Sequence, residues 1–464
     1  MTDEATERRR AAAAGQEHVF RFWNELADEG HARLLRQLAT VDYDLVTELG
    51  ALIGPASDGG DHALEPPELF PLQRDAAAEA RTAEARRAGA ELLAAGKIGY
   101  VLVAGGQASR LGYDGPKGTF PVGPVSSHSL FRWHAHRLLA AQRRHGAPTP
   151  WYVMTSPIND AATREFFADQ GFFGLPRNDV SFFQQDMLPA LDTEGRILLA
   201  DRGRLFLAPN GHGGTLLALA RSGALADMHA RGVEHISYFQ VDNPLARPAD
   251  PLFLGLHALE RAGMSSKVVK KRDANEKVGV LGRIDGRMGC IEYSDLPADL
   301  REERDPDGEL TFRAGNIAVH VLDVGFVEDL TRDGFELPWH LARKAMPVVG
   351  DTGALVEREG VKFETFVFDA LARSERCVTL EVDRALEFSP IKNAVGVDSP
   401  ATCRADLCRL FASWVEVAGL ELPPAGSDGL HPIEIDPLVA ESAEELRARN
   451  DVEPHVGDQG HHYA

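Results

Sequence analysis

Two cations beside a glycine-rich turn are of the types that bind a phosphate chain. Arg110 and Lys117 lie in "LVAGGQASRLGYDGPKGTFPVG", residues 102–123, directly behind an apolar run. Glycine costs backbone entropy, so a dense cluster of it is kept for turns or for close approach to a ligand. Gly105 and Gly106 would let the backbone N–H groups close on a base or a phosphate. Arg110 offers a planar fork for phosphate oxygens, and Lys117 a mobile point charge. The spacing is not that of a Walker loop, since Pro116 stands where that motif needs glycine before lysine, nor is it GxGxxG. A tight turn with solvated basic side chains fits the same residues.

Three more segments carry candidate groups. "FQVDN" leaves an apolar run at Asp242. A carboxylate there suits Mg²⁺, which takes one or two carboxylates plus phosphate oxygens. It equally suits a cap on the turn that Asn243 and Pro244 begin. "APNGHGGTLLALA" leads Gly211, Gly213 and Gly214 into a helical pattern, whose first N–H groups would be free to face an anion or a sugar. His212 could donate to a phosphate or simply support the loop. "FSPIKNA" sets Lys392 after a proline-kinked loop, where a lone lysine also reads as a surface group.

These groups can meet only if the elements carrying them end at a common edge. From Ile98 onward short apolar runs recur ("IGYVLVAGG", "PWYVMTS", "VSFFQQ", "HISYFQVDN", "SSKVVKK"), with helical patterns such as "SLFRWHAHRLLAAQRRHG" between several of them. That alternation predicts an α/β fold: a Rossmann-like domain with a mixed, mainly parallel sheet, whose ligands sit beyond the carboxyl ends of the strands. The "DG" turns around 278–323 predict hairpins. Residues 1–95 read as a helical N-terminal region, 96–395 as the catalytic domain and 396–464 as a small C-terminal region. The tail "EPHVGDQGHHYA", with His455, His461 and His462, reads as disordered rather than metal-binding.

A net charge of −21 argues against nucleic acid or an anionic membrane as partner, and makes basic residues beside glycine turns informative. No apolar stretch approaches the ~20 residues needed to cross a bilayer. The four cysteines form no CxxC pair and suggest no disulfide framework; Cys403 and Cys408 read as packed on a helix. With no secretory signal pattern at the start, the expected compartment is the cytoplasm. The oligomeric state expected is monomer or weak dimer.

Together the segments resemble one family, the eukaryotic-type UDP-N-acetylglucosamine pyrophosphorylases within the wider UDP-sugar pyrophosphorylases. The matching stretches are "AGQEHVFRFWNEL", "LVAGGQASRLGYDGPKG", "FFQQDMLPAL", "NGHGGTLLALA", "VDNPLARPADPLFLG", "FRAGNIAVH", "KFETFVFD" and "EFSPIKNA", in the family's order over residues 14–415. The resemblance implies a nucleotidyltransferase that joins UTP and a sugar 1-phosphate with Mg²⁺. It implies that Gly105 and Gly106 approach the uridine, that Arg110 and Lys117 hold the triphosphate, and that Gln185 reads the uracil edge. Gly211, with His212 beside it, would support the base, Asp242 bind the metal and Lys392 reach the phosphates. Gly279, Glu292, Asn316, Glu364 and Phe366 would line the sugar pocket.

Two positions depart from the family's pattern. Ala108-Ser109 replaces its glycine-threonine, and His212 stands where N-acetylglucosamine enzymes usually show asparagine. The second departure brings glucose 1-phosphate, or a broader range of sugars, into view. A non-catalytic sugar-nucleotide sensor would be expected to lose Lys117, Asp242 or Lys392, and all three are present. A dinucleotide-dependent dehydrogenase lacks its glycine spacing here.

Overall fold

The structure, a computed structural model, describes residues 3–54, 62–332, 337–449, 452–457 and 459–464. Its largest element is a ten-stranded mixed sheet. The strands used below are β1 (Ile98–Val103), β2 (Trp151–Thr155), β3 (Val180–Gln184), β4 (His235–Gln240), β5 (Met264–Lys270), β6 (Val280–Ile284), β7 (Arg287–Ile291), β8 (Ala314–Asp323) and β9 (Thr379–Val382). β1 pairs in parallel with β2 and β4, and β2 with β3. β8 runs antiparallel to β4 and β5, and β5 is parallel to β9. Strands covered on both faces must be apolar along their whole length, which is why "IGYVLV" and "WYVMT" read as unbroken runs. The Asp285-Gly286 turn between β6 and β7 has positive φ at both residues (49° and 79°), the geometry expected of a two-residue hairpin.

The chain forms two compact units from non-consecutive segments. The larger holds the ten-stranded sheet and comprises Ala63–Gln184, Leu216–Phe335 and Ala370–Ala464. Its helices Ala76–Ala94 and Pro251–Glu260 cross where neither has room for a side chain. A Cβ on Gly89 would lie 1.9 Å from the Pro251 carbonyl oxygen, and one on Gly255 1.8 Å from that of Ala85. The smaller unit comprises Met1–His62, Gln185–Thr215 and Glu336–Asp369. Helices Asp28–Ala39 and Tyr43–Ala51 bury Leu34, Leu38, Val46 and Leu49 there with Leu191, Leu205, Val361 and Phe363. The N-terminal helices expected as one region are thus divided between the units.

The C-terminal tail corrects an expectation. Its described residues form β11 (His455–Gly457) and β12 (Gly460–Tyr463), which join β10 (Ile433–Ile435) in a three-stranded sheet. The reason is the last aromatic: Tyr463 is buried in the main core with Ile433 and Ile435, and burial of a large ring offsets the entropy of ordering a short strand. Cys403 is buried in helix Pro400–Ala418, where burial pushes its thiol pKa up to about 12. It is an inert packing group. Among the described residues no helix is long and apolar enough to cross a membrane.

Candidate active site

The register of β1, β2 and β4 brings their carboxyl ends level, with Val103 opposite both Met154 and Gln240. Three turns leave this edge: the glycine loop at 104–118, the 156–159 turn and the 241–243 turn. The glycine loop closes on itself, Lys117 N–H donating to the Gly106 carbonyl (3.1 Å) and Ala108 N–H to Gly115 (3.0 Å). Gly112 and Gly115 take positive φ (70° and 146°) to make those bends. Ala108 does not, at φ −93°, so the family's glycine can be alanine here without strain. A Cβ on Gly118 would lie 2.1 Å from the Phe131 ring, whereas one on Gly106 would meet nothing within 4 Å. Gly118 serves packing; Gly106 leaves space.

The two charges singled out in the sequence do meet. Lys117 Nζ lies 3.3 Å from Asp242 Oδ2, with 18% and 12% of the side chains exposed. The Lys392 loop is fastened to the same turn: Ile391 N–H donates to the Asp242 carbonyl (2.9 Å), and Asn243 donates to the Glu387 carbonyl (2.7 Å). Asn243 Oδ1 accepts from Ser389 N–H in return. Arg110 and Lys392 are exposed, and neither has an acidic ion-pair partner among the described residues. In a chain of net charge −21, unpaired cations at one strand edge are available to an anionic ligand.

Sequence reasoning missed the residues that hold this edge. Asn159 is fully buried and donates to the carbonyls of Ala104 (2.9 Å) and Gly106 (3.2 Å). Ser156 Oγ donates to the Gly105 carbonyl (2.8 Å). His134, from helix Leu130–His145, donates through Nε2 to the Val241 carbonyl (3.1 Å) and so fixes the residue before Asp242. Asn159 had a readable signal, a polar residue just past the carboxyl end of an apolar strand, the same rule that pointed to Asp242. His134 had none, since a histidine within an apolar helical pattern reads as core.

Of the residues expected at the sugar, Gly279, Glu292 and Asn316 come together in the larger unit. Asn316 N–H donates to the Gly279 carbonyl (2.9 Å), and a Cβ on Gly279 would stand 3.6 Å from Glu292 Oε1. In the smaller unit Gly211, His212, Glu364 and Phe366 come together. Gly211 has φ 81°, and a Cβ there would lie 2.4 Å from the Thr365 carbonyl oxygen and 3.0 Å from the Glu364 Cβ. His212 stacks on Phe366 with centroids 5.2 Å apart, and its Nδ1 accepts from Val367 N–H (3.1 Å). Burial, with His340 nearby, pushes its pKa down to about 4, so it is neutral at pH 7 with the proton on Nε2. Gln185 is buried and begins this unit's second segment.

One expectation fails here. The N–H groups entering helix Gly214–Arg221 are not free: Gly213 donates to Thr365 (2.8 Å), Gly214 to Gly211 (3.2 Å) and Thr215 to His212 (3.4 Å). The glycines exist for close packing of the loop on Thr365 and Phe366, where a Cβ on Gly213 would lie 2.7 Å from Phe366 N. The N–H groups of Gly213, Gly214 and Thr215 are therefore already committed within the protein.

Asp242 fits a Mg²⁺ ion as a hard, mostly covered carboxylate. It belongs to no group of three metal-ligating side chains among the described residues. It would therefore contribute one ligand, with phosphate oxygens and water supplying the rest, as is usual for this ion.

Comparison with known proteins gives the family of the chain. Residues 57–408 match the family UTP–glucose-1-phosphate uridylyltransferase. The chain is similar to UDP-N-acetylhexosamine pyrophosphorylase-like protein 1 of Homo sapiens, 37% identical over 96% of this chain and 94% of that one. It is also similar to UDP-N-acetylglucosamine pyrophosphorylase of Saccharomyces cerevisiae, 34% identical over 88% of this chain and 90% of that one. Among solved structures, the uridine diphosphate N-acetylglucosamine pyrophosphorylase of Trypanosoma brucei, in complex with an inhibitor, superposes with a TM-score of 0.83 at 28% identity. That match covers 97% of this chain and 95% of that one.

Proposed function

The chain belongs to the UTP–glucose-1-phosphate uridylyltransferase family, and we propose that its preferred acceptor is N-acetylglucosamine 1-phosphate. It is a nucleotidyltransferase: UTP and a sugar 1-phosphate give a UDP-sugar and pyrophosphate. The sugar phosphate is anionic at neutral pH, so its oxygen attacks the α-phosphorus of UTP without a general base. The new P–O bond forms as the bond to the β-phosphate oxygen breaks, and pyrophosphate leaves with that electron pair. Crowded negative charge is the barrier, and fixed cations lower it.

In this reading Arg110 and Lys117 hold the triphosphate, Lys392 reaches the reacting phosphates, and Gly105 and Gly106 leave room for the nucleotide. Gln185 reads the uracil and Gly211, next to His212, supports it; Gly279, Glu292, Asn316, Glu364 and Phe366 contact the sugar. Asp242 would hold Mg²⁺, which when bound neutralises phosphate charge. The observation that carries the reading is the Lys117–Asp242 approach of 3.3 Å at the strand edge bearing the glycine loop. The four free cysteines fit a reducing compartment, and the cytoplasm is the proposed one.

Pyrophosphate release from UTP and Mg²⁺, measured against a panel of sugar 1-phosphates, tests this. N-acetylglucosamine 1-phosphate should show the highest kcat/KM; silence with every sugar would end the reading. Glucose 1-phosphate is the second candidate, because His212 replaces asparagine and its ring is clamped between Phe366 and Val367 N–H. His212→Asn should then shift the kcat/KM ratio toward the N-acetyl sugar, and an unchanged ratio would remove His212 from sugar choice.

A further inference from the structure

The C-terminal sheet brings together side chains that the uridylyl transfer does not use. His128 precedes helix Leu130–His145, Asp436 follows β10, and His462 lies in β12. Ligand atoms of these three lie within 4.8 Å of one another. Two of the atoms are orphans: His128 Nδ1 and His462 Nε2 are shielded from solvent and have no hydrogen-bond partner. A buried imidazole nitrogen without a partner costs free energy, so its neighbours deserve an account.

Those neighbours are carboxylates at an unusual range. His128 Nδ1 is 3.8 Å from Asp436 Oδ2 and 3.8 Å from Glu434 Oε1, and His462 Nε2 is 3.6 Å from Glu434 Oε1. Ordinary imidazole–carboxylate hydrogen bonds are shorter, about 2.7–2.9 Å. Ligands held tetrahedrally at about 2.0–2.1 Å from a metal stand about 3.4 Å apart, near the 3.8 Å between His128 Nδ1 and Asp436 Oδ2. His136 shows the contrast. Its Nδ1 donates to both Asp436 oxygens at 2.8 Å, the kind of outer partner that orients a metal-binding carboxylate. Glu434 is likewise held by the N–H groups of Val125 and Ser126 and by the Ser126 hydroxyl.

We infer that His128, His462 and Asp436 form a binding site for a divalent transition-metal ion such as Zn²⁺, with water completing its coordination and Glu434 as a neighbouring carboxylate. Two imidazoles and a carboxylate suit zinc better than Mg²⁺, which prefers oxygen alone. His462 stands opposite Glu434 in the parallel β10–β12 register. The ion would therefore staple the final strand to β10 and to the loop that enters helix Leu130–His145. Its role is structural, separate from the single carboxylate Asp242.

The test uses the full chain, stripped with chelator and titrated with Co²⁺ and then Zn²⁺ in excess Mg²⁺. Wild type should bind about one equivalent and show the intense visible bands of tetrahedral cobalt, abolished by zinc. His128→Gln and His462→Gln should each fall below about a tenth of an equivalent while still releasing pyrophosphate, and Asp242→Asn should keep the full equivalent. His136→Gln should weaken the metal about 10- to 100-fold. Failure of wild type to retain zinc or to develop cobalt bands overturns the site whatever the variants do. Equal binding by folded His462→Gln would do the same.

Discussion

At the scale of single residues, charge and space make separate demands on the glycine loop. Lys117 and Lys392 are read as cations that stabilise the transition state. Lys→Ala at either should lower kcat at least ~10²-fold in steady-state assays, as losing one electrostatic stabiliser does elsewhere. Retained wild-type turnover would remove that residue from the mechanism. Gly106 and Gly118, twelve positions apart, should behave oppositely. A Cβ on Gly118 meets the Phe131 ring at 2.1 Å, so Gly118→Ala should destabilise by about 1–3 kcal/mol in urea unfolding. A Cβ on Gly106 meets nothing, so Gly106→Ala should change stability by less than about 0.5 kcal/mol and raise KM for UTP. If both variants lose only stability, Gly106 has no role in nucleotide approach.

Elements position these residues through buried amides rather than through further charges. The 156–159 turn, emerging from β2, holds the glycine loop through Asn159, whose amide donates to Ala104 and Gly106 and whose oxygen accepts from Ser156 N–H. Asn159→Asp keeps the acceptor and removes both donations. The expected result is a raised KM for UTP, with a stability loss of about 1–3 kcal/mol for the carbonyls left unpaired. A variant with unaltered UTP kinetics would show that the loop keeps its shape unaided. The turn after β4 is tied in the same way, by Asn243 to Glu387 and Ser389 and by His134 to Val241. Strand-end carboxylates and cations can thus approach within 3.3 Å although 125 positions separate Lys117 from Asp242.

For the whole molecule, buried histidines set the acid limit. Burial pushes the pKa of His134 down to about 4 and that of His257 down to about 3, from an ordinary 6.5. Below pH 6.5 the unfolded chain takes up protons that these imidazoles refuse in the native state. Their stabilisation is therefore fully present above about 6.5 and is lost as pH falls toward 4. Each contributes a slope of about 1.4 kcal/mol per pH unit across that window. Urea midpoints measured from pH 7 to pH 4.5 should fall steadily, and His257→Asn should flatten the fall. A flat wild-type profile would mean that these rings titrate normally.

The order of strands and helices, the Asp285-Gly286 hairpin, and the segments that carry Lys117, Asp242 and Lys392 were all legible in the amino-acid sequence, because apolar periodicity and turn chemistry are local properties. So was the family. What the sequence could not supply was which local groups become neighbours. The loop N–H groups at Gly213 and Gly214 looked available to an anion, yet Thr365 and the loop itself consume them. The tail looked too polar to order, yet Tyr463 finds a core built from Ile433 and Ile435 and carries His462 in with it. Hydrogen-bond satisfaction and burial are decided by partners far away in the chain, and only the folded backbone chooses those partners.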